Sequence, residues 1–202
     1  SGGDFCGQIS DLRFGQPIPS TVSDPAMLKG WGKRPDQWEW EASVQHQLMP
    51  RVGLEVGYFR RTYGNFTVTD NTLTSVSDYT QYSVKAPADA RLPDGGGYTV
   101  GGFYNLNPDK VGQVNNLFTL PSNYGDYKET WNGVDVNLNL RMGRGIVLQG
   151  GTSTGRTSLD VCDLRAKLPE LTVGAPYGVS VGSPNCNIPG KFQTQVKFLG
   201  TY

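Results

Sequence analysis

His46 is the chain's only histidine, so any chemistry that needs an imidazole rests on it alone. A Ser-His-Asp triad could be built around one histidine. A typical zinc site wants several nitrogen and sulfur ligands, and no Cys-x-x-Cys pair supplies them. His46 also falls on the apolar side of an alternating run, which reads as packing. Glu39 and Glu41 stand two apart, a spacing that could hold a cation or pair two carboxylates. Glycosidase carboxylates usually come from separate strands, so these read as solvated groups on one sheet face. Asp94-Gly95-Gly96-Gly97 resembles a phosphate cradle, but no Lys-Ser or Lys-Thr follows it and no helix is expected there. A turn that uses positive φ is the better account. Ser153-Thr154-Gly155-Arg156-Thr157 lacks the same context. Asp70, Asp78 and Asp126 could help to bind calcium, without the pattern of an EF-hand loop. No catalytic residue, metal site or cofactor is expected, and the chain does not read as an enzyme.

Aromatic rings and cysteines carry the remaining signals. Tyr63, Phe66, Tyr98, Tyr104 and Tyr124 are the candidate ligand-binding residues, since their rings could stack on a sugar or another bulky ligand. The same rings can pack the loops together, and that use weighs more. Of the three cysteines, Cys162 and Cys186 share one long connection and would close it as a disulfide in an oxidising compartment. Cys6 would then stay free or pair elsewhere. Three unpaired thiols in a reducing compartment are the alternative.

The elements that must position these residues are strands. Glycine, asparagine, threonine and tyrosine are abundant and helix formers scarce, which points to an all-β protein. Trp38, Trp40, Ala42, Val44, His46 and Leu48 alternate with Glu39, Glu41, Ser43, Gln45 and Gln47. A tight turn at Met49-Pro50-Arg51 follows, and Val52, Leu54, Val56 and Tyr58 resume the pattern. The unit recurs with Val134, Val136, Leu138 and Leu140, a turn at 142–145, and a strand over Ile146 to Thr157 whose apolar pattern fades into Gly150-Gly151-Thr152. Phe192, Val196, Phe198 and Tyr202 mark a last strand.

Short turns at one end and long loops at the other predict antiparallel up-and-down strands of part of a transmembrane β-barrel, with periplasmic turns and extracellular loops. The organisation expected is an external loop over 1–35, within which Asp24 could cap one helical turn, and a strand pair over 36–70. A long external loop follows over 71–123, holding a hairpin with arms near 80–86 and 97–105. A second strand pair spans 124–157, a loop 158–190 and a strand 191–202. Beyond Tyr58 the second strand either continues to Thr69 or breaks near Gly64 into a separate one.

No apolar run approaches the ~18 residues of a membrane helix, which leaves barrel strands untouched as an option. A formal charge of zero and no basic run interleaved with aromatics argue against a nucleic-acid partner. Both ends read as cut from a longer polypeptide.

Trp40 to Val52 (Trp-Glu-Ala-Ser-Val-Gln-His-Gln-Leu-Met-Pro-Arg-Val) and Gly57 to Phe66 (Gly-Tyr-Phe-Arg-Arg-Thr-Tyr-Gly-Asn-Phe) resemble the barrel of TonB-dependent receptor-like outer-membrane proteins. The subgroup carries an N-terminal carboxypeptidase-regulatory-like domain. Leu92-Pro93-Asp94-Gly95-Gly96-Gly97-Tyr98, Trp131-Asn132-Gly133-Val134-Asp135, Leu148-Gln149-Gly150-Gly151, Thr154-Gly155-Arg156-Thr157 and Thr194-Gln195-Val196-Lys197 extend the resemblance over most of the chain. These are wall and loop motifs without ligand chemistry, so no binding residue transfers. The resemblance implies a barrel of about 22 strands around a plug, energised uptake through TonB, and a bacterial outer-membrane location. This chain would supply about five wall strands and two external loops. Its partners would be outer-membrane lipid, the TonB complex through an N-terminal part of the parent, and an unknown small-molecule, glycan or peptide ligand. In that setting the glycosylation pattern Asn65-Phe66-Thr67 is incidental. The rival reading is a secreted soluble β-sandwich that binds carbohydrate.

Overall fold

The computed structural model describes residues 15–16, 21–173 and 184–202. In chain order its elements are strand β1 (Thr21–Ser23), helix α1 (Pro25–Leu28), β2 (Asp36–Met49), β3 (Val52–Gly64), β4 (Val68–Asn71) and β5 (Tyr79–Lys85). β6 (Thr99–Leu106), β7 (Asn116–Thr119), β8 (Lys128–Arg141), β9 (Val147–Asp160), helix α2 (Cys162–Lys167), β10 (Asn187–Pro189) and β11 (Gln193–Thr201) follow. The protein is mostly β, with antiparallel sheets and one parallel pair, β1 with β7. The chain divides into two compact units.

The sheet unit takes 35–64, 128–160 and 187–202. Its strands run in the order β2-β3-β8-β9, and the far edge of β9 is shared by β10 and β11. Alternating apolar and polar residues are what a strand with two unlike faces requires. Here the alternation holds in register across the sheet: Val44 lies opposite Val56, Val56 opposite Val136, Val136 opposite Thr152, and Thr152 opposite Val196. Arg51 (φ 72°) turns the chain between β2 and β3, and Arg144 (φ 64°) with Gly145 (φ 83°) does so between β8 and β9. Such left-handed positions suit tight hairpins.

β2, β8 and β9 have 14 residues each and β3 has 13. That is about 45 Å of strand, far beyond the globular norm. The sheet does not close: among the described residues β2 pairs only with β3, and β11 only with β9.

Two details bear on the sequence reading. The apolar pattern fades at Gly150-Gly151, but β9 runs on as expected and pairs through both glycines on either side. A Cβ at Gly151 would collide with Val136 O (2.7 Å), so the glycine is what lets the strand continue. β3 ends at Gly64, and Asn65 (φ 52°) turns the chain before the separate β4.

The loop unit takes 1–34, 65–127 and 161–186. β1 and β4 flank β7 in a small sheet, and β5 with β6 forms a hairpin close to the arms expected. Asp24 caps α1, accepting a hydrogen bond from Ala26 N–H at 2.8 Å. Val68, Val161, Leu164, Leu168 and Leu171 are buried and form the apolar core. Cys162 and Cys186 are bonded, tying the start of α2 to the segment before β10. Cys6 lies outside the described residues, as does much of the loop expected over 1–35.

Candidate functional site

The sheet unit is a single layer with two chemically different faces. One carries Val44, His46, Leu54, Val56, Leu138, Val136, Leu148, Val196 and Phe198 in contiguous rows, as the register requires. Trp38 is 65% exposed, Val44 70% and Phe198 88%. This apolar face changes character toward the long-connection end. Tyr58 keeps its ring on it and donates its hydroxyl to Asn132 Oδ1 at 3.0 Å. Asn132 sits in the next row with Arg60 and Arg156, and Arg156 lies 4.8 Å from the Phe192 ring centroid. Trp40 is the register partner of Arg60. Apolar rows thus give way to a border of tryptophan, tyrosine and arginine, side chains with an apolar body and a polar tip, together with Asn132. His46 stands among the apolar rows opposite Leu54.

The other face is polar. One row reads Gln45, Glu55, Asn137, Gly151, Lys197, and the next Ser43, Gly57, Asp135, Ser153, Gln195. Glu39 pairs with Arg61 at 2.6 Å, so it is held by a cation within the sheet and not with Glu41. The Trp131 ring packs against Gly133 and Gly155; a Cβ at Gly155 would sit 2.6 Å from it. Phe59 covers Gly57 in the same way, at 2.9 Å. Aromatic rings laid over strand glycines supply the packing that glycine lacks.

The five candidate aromatics are divided between the two units. Tyr63 is in β3 of the sheet unit and the other four are in the loop unit. Phe66 stacks on Tyr127 with ring centroids 3.9 Å apart. The Tyr104 hydroxyl accepts from Gln81 Nε2 at 2.7 Å, and Tyr124 donates to Asp70 Oδ2 at 2.6 Å. Tyr98 is exposed. Three of these rings are therefore engaged within the loop unit itself.

A polar network that the sequence did not announce surrounds Tyr124. Thr119 donates to Asp24 Oδ2 at 2.5 Å, and Asn123 donates to Thr119 Oγ1 at 3.0 Å. The Thr119 hydroxyl and the Ala26 N–H hold the Asp24 carboxyl below its ordinary range. Burial and the Asp70 hydrogen bond push the Tyr124 phenol up. Glu170 accepts from Asn71 N–H at 3.2 Å and from the Tyr79 hydroxyl at 3.4 Å. Burial raises its carboxyl despite those bonds. Arg165, buried on α2, donates to Leu171 O at 2.6 Å, and burial lowers its guanidinium. Sequence reasoning missed Glu170 and Arg165 because α2 and the segment after it read as plain loop. Asp70, Asp78 and Asp126 do not assemble: no cluster of three metal-ligating side chains exists among the described residues.

No protein-family profile, curated protein or solved structure matches this chain.

Proposed function

We propose that the sheet unit is a wall segment of a transmembrane β-barrel, and that the protein belongs to a TonB-dependent outer-membrane receptor for nutrient uptake. The observation that carries this reading is the continuous apolar face of a single-layer sheet, exposed across its strands and bordered by amphipathic side chains. A lipid-facing wall has that profile: an apolar band about 25 Å tall, then an aromatic girdle. Trp38 to Leu48 covers 11 residues, roughly 35 Å of strand and about 25 Å of height at the usual tilt. The opposite face, rich in amides, carboxylates and glycine, suits a hydrated lumen. The unpaired edges of β2 and β11 would join further strands of the wall, since an exposed edge invites pairing. The resemblance in the strand and turn motifs adds TonB coupling through an N-terminal part of the parent. The wall is passive; the loop unit would face the ligand.

The rival, a secreted β-sandwich that binds carbohydrate, needs a second layer over the apolar face. Among its described residues the sheet unit holds one sheet only. The test is to fractionate cells that make the full-length parent and compare gel mobility with and without boiling. Recovery in the outer membrane with a heat-modifiable band is expected. A soluble periplasmic or secreted product with unchanged mobility would replace the barrel with the binding module.

A further inference from the structure

Many polar side chains of the loop unit are engaged with one another. Asn71 donates to Gln113 O at 2.7 Å and accepts from Asn115 N–H at 3.0 Å. Asn115 donates to Thr72 Oγ1, and Thr119, Asn123, Asp24, Asp70 and Tyr124 form the network described above. The side chains of Thr67, Thr69, Asn116 and Thr172 make no hydrogen bond among the described residues, and those of Thr69 and Thr172 are exposed. All four line the same recess of about 450 Å³, with Glu170 at its wall.

The strand pattern explains why they gather. In β4, Val68 is buried in the core and Asp70 meets Tyr124, so Thr67 and Thr69 belong to the opposite side. Asn116 on β7 is the register partner of Asn71, which places it beside them. Thr172 arrives just after Leu171, whose buried side chain anchors that segment. Val114 and Leu171 complete the lining with apolar surface.

This lining selects a ligand class. Hydroxyl and amide side chains each donate and accept, whereas a carboxylate only accepts. A saccharide matches both, because every ring hydroxyl can donate and accept, and its C–H surface suits Val114. An anion would meet the Glu170 carboxylate. The Arg165 cation is buried and donates to Leu171 O, so it is not presented to an anionic guest. Glu170 is fixed in place by the Asn71 N–H and the Tyr79 hydroxyl, which orients it as an acceptor. The volume lies in the usual ~300–1,000 Å³ range of small-molecule sites. We infer that this recess is a saccharide-binding site, in which the hydroxyls of Thr67, Thr69 and Thr172, the Asn116 amide and the Glu170 carboxylate read the hydroxyl pattern of one sugar unit. The inference goes beyond the barrel reading and does not depend on it, since every residue involved belongs to the loop unit.

The test is saturation-transfer NMR and titration of the full chain with glucose, mannose, galactose, N-acetylglucosamine and maltose. Putrescine serves as a cationic probe and inorganic phosphate as an anionic one. Saturable binding of at least one saccharide is expected. Thr69→Val/Asn116→Ala should weaken it about tenfold, the scale of one or two lost hydrogen bonds. Arg91→Ala, which breaks only an exposed ion pair with Asp89, should leave affinity unchanged. Circular dichroism and retention of the Cys162–Cys186 bond establish that the variants are folded. Absence of saturable binding to any saccharide overturns the inference, as does unchanged affinity in the double variant. Preferential uptake of putrescine or phosphate overturns the saccharide class. Failure of the membrane reading would show in the gel-mobility assay and leave these titrations intact.

Discussion

The two units of this molecule solve the problem of burial in opposite ways. The loop unit owns a conventional core: Leu164, Leu168 and Leu171 are almost fully buried, and a disulfide closes the segment that carries them. The sheet unit has long, regular strands, yet apart from Leu159 its apolar residues stay half-buried or exposed. Regular hydrogen bonding alone does not stabilise an apolar surface in water. The lesson is that the sheet unit's stability must come from what touches its apolar face, whereas the loop unit carries its own.

The sharpest way to break that contrast is to put charge on the apolar face. Val56→Arg together with Val136→Arg, register partners on β3 and β8, should abolish membrane insertion. Each mid-face arginine costs about 2–4 kcal/mol in a lipid-facing wall. Asn137→Arg, one residue away on the polar face, should insert normally in the same flotation assay. Equal tolerance of both would mean that neither face meets lipid.

A smaller effect is confined to the loop unit. Cys162→Ser/Cys186→Ser should lower its stability by about 3 kcal/mol, the entropy expected from opening a loop of 24-residue separation. Hydrogen exchange should rise in α2 and β7 and stay constant in β8 and β9. Uniform loss of protection would contradict the division into separately stabilised units.

The glycines beneath Trp131 allow a finer test within the sheet. Gly155→Val must displace the ring and should cost about 1–3 kcal/mol. Gly143, where an added Cβ meets nothing, should tolerate alanine in the same urea titration.

The pH response is the smallest of these effects and has two signs within one unit. The lowered Asp24 and Asp78 carboxyls contribute stability above their ordinary value of 3.8, and that contribution is lost as pH falls through their folded values. The raised Glu170 carboxyl does the reverse. Its contribution is present below 4.5 and lost as pH rises through the folded value. Glu170→Gln should therefore remove the decline on the alkaline side and leave the acid limb in place. Denaturation series from about pH 3 to pH 8 would show it. An unchanged alkaline limb would remove Glu170 from this role.

The legible part of the fold was the part with a period. Trp38 to Leu48 and Val134 to Leu140 alternate strictly, so strands, faces and tight turns followed from the residues themselves. Gly150-Gly151 interrupts the apolar pattern because glycine has no side chain, while the reason for glycine there, the close neighbours Asn137 and Phe198, shows only in the folded structure. β4, β7, β10 and α2 are three to six residues long, too short for any period to emerge. The candidate site was the least legible. The Thr67–Asn116–Glu170 recess joins residues far apart in the chain through a strand register that only the folded structure supplies. The aromatics chosen for their stacking faces proved to include Phe66 and Tyr104, which are engaged internally.

Tryptophan placement offers the most direct test of the central claim, because the four tryptophans sample different surroundings. Trp38 and Trp40 lie on the apolar face, Trp131 covers glycines on the polar face, and Trp31 belongs to the loop unit. Single-tryptophan variants, with the others changed to phenylalanine, would be reconstituted in vesicles containing brominated lipid. Strong quenching of Trp38 and Trp40, with Trp131 and Trp31 spared, is the predicted result. Quenching of Trp131 to the same extent, or of none of the four, would contradict a lipid-facing wall.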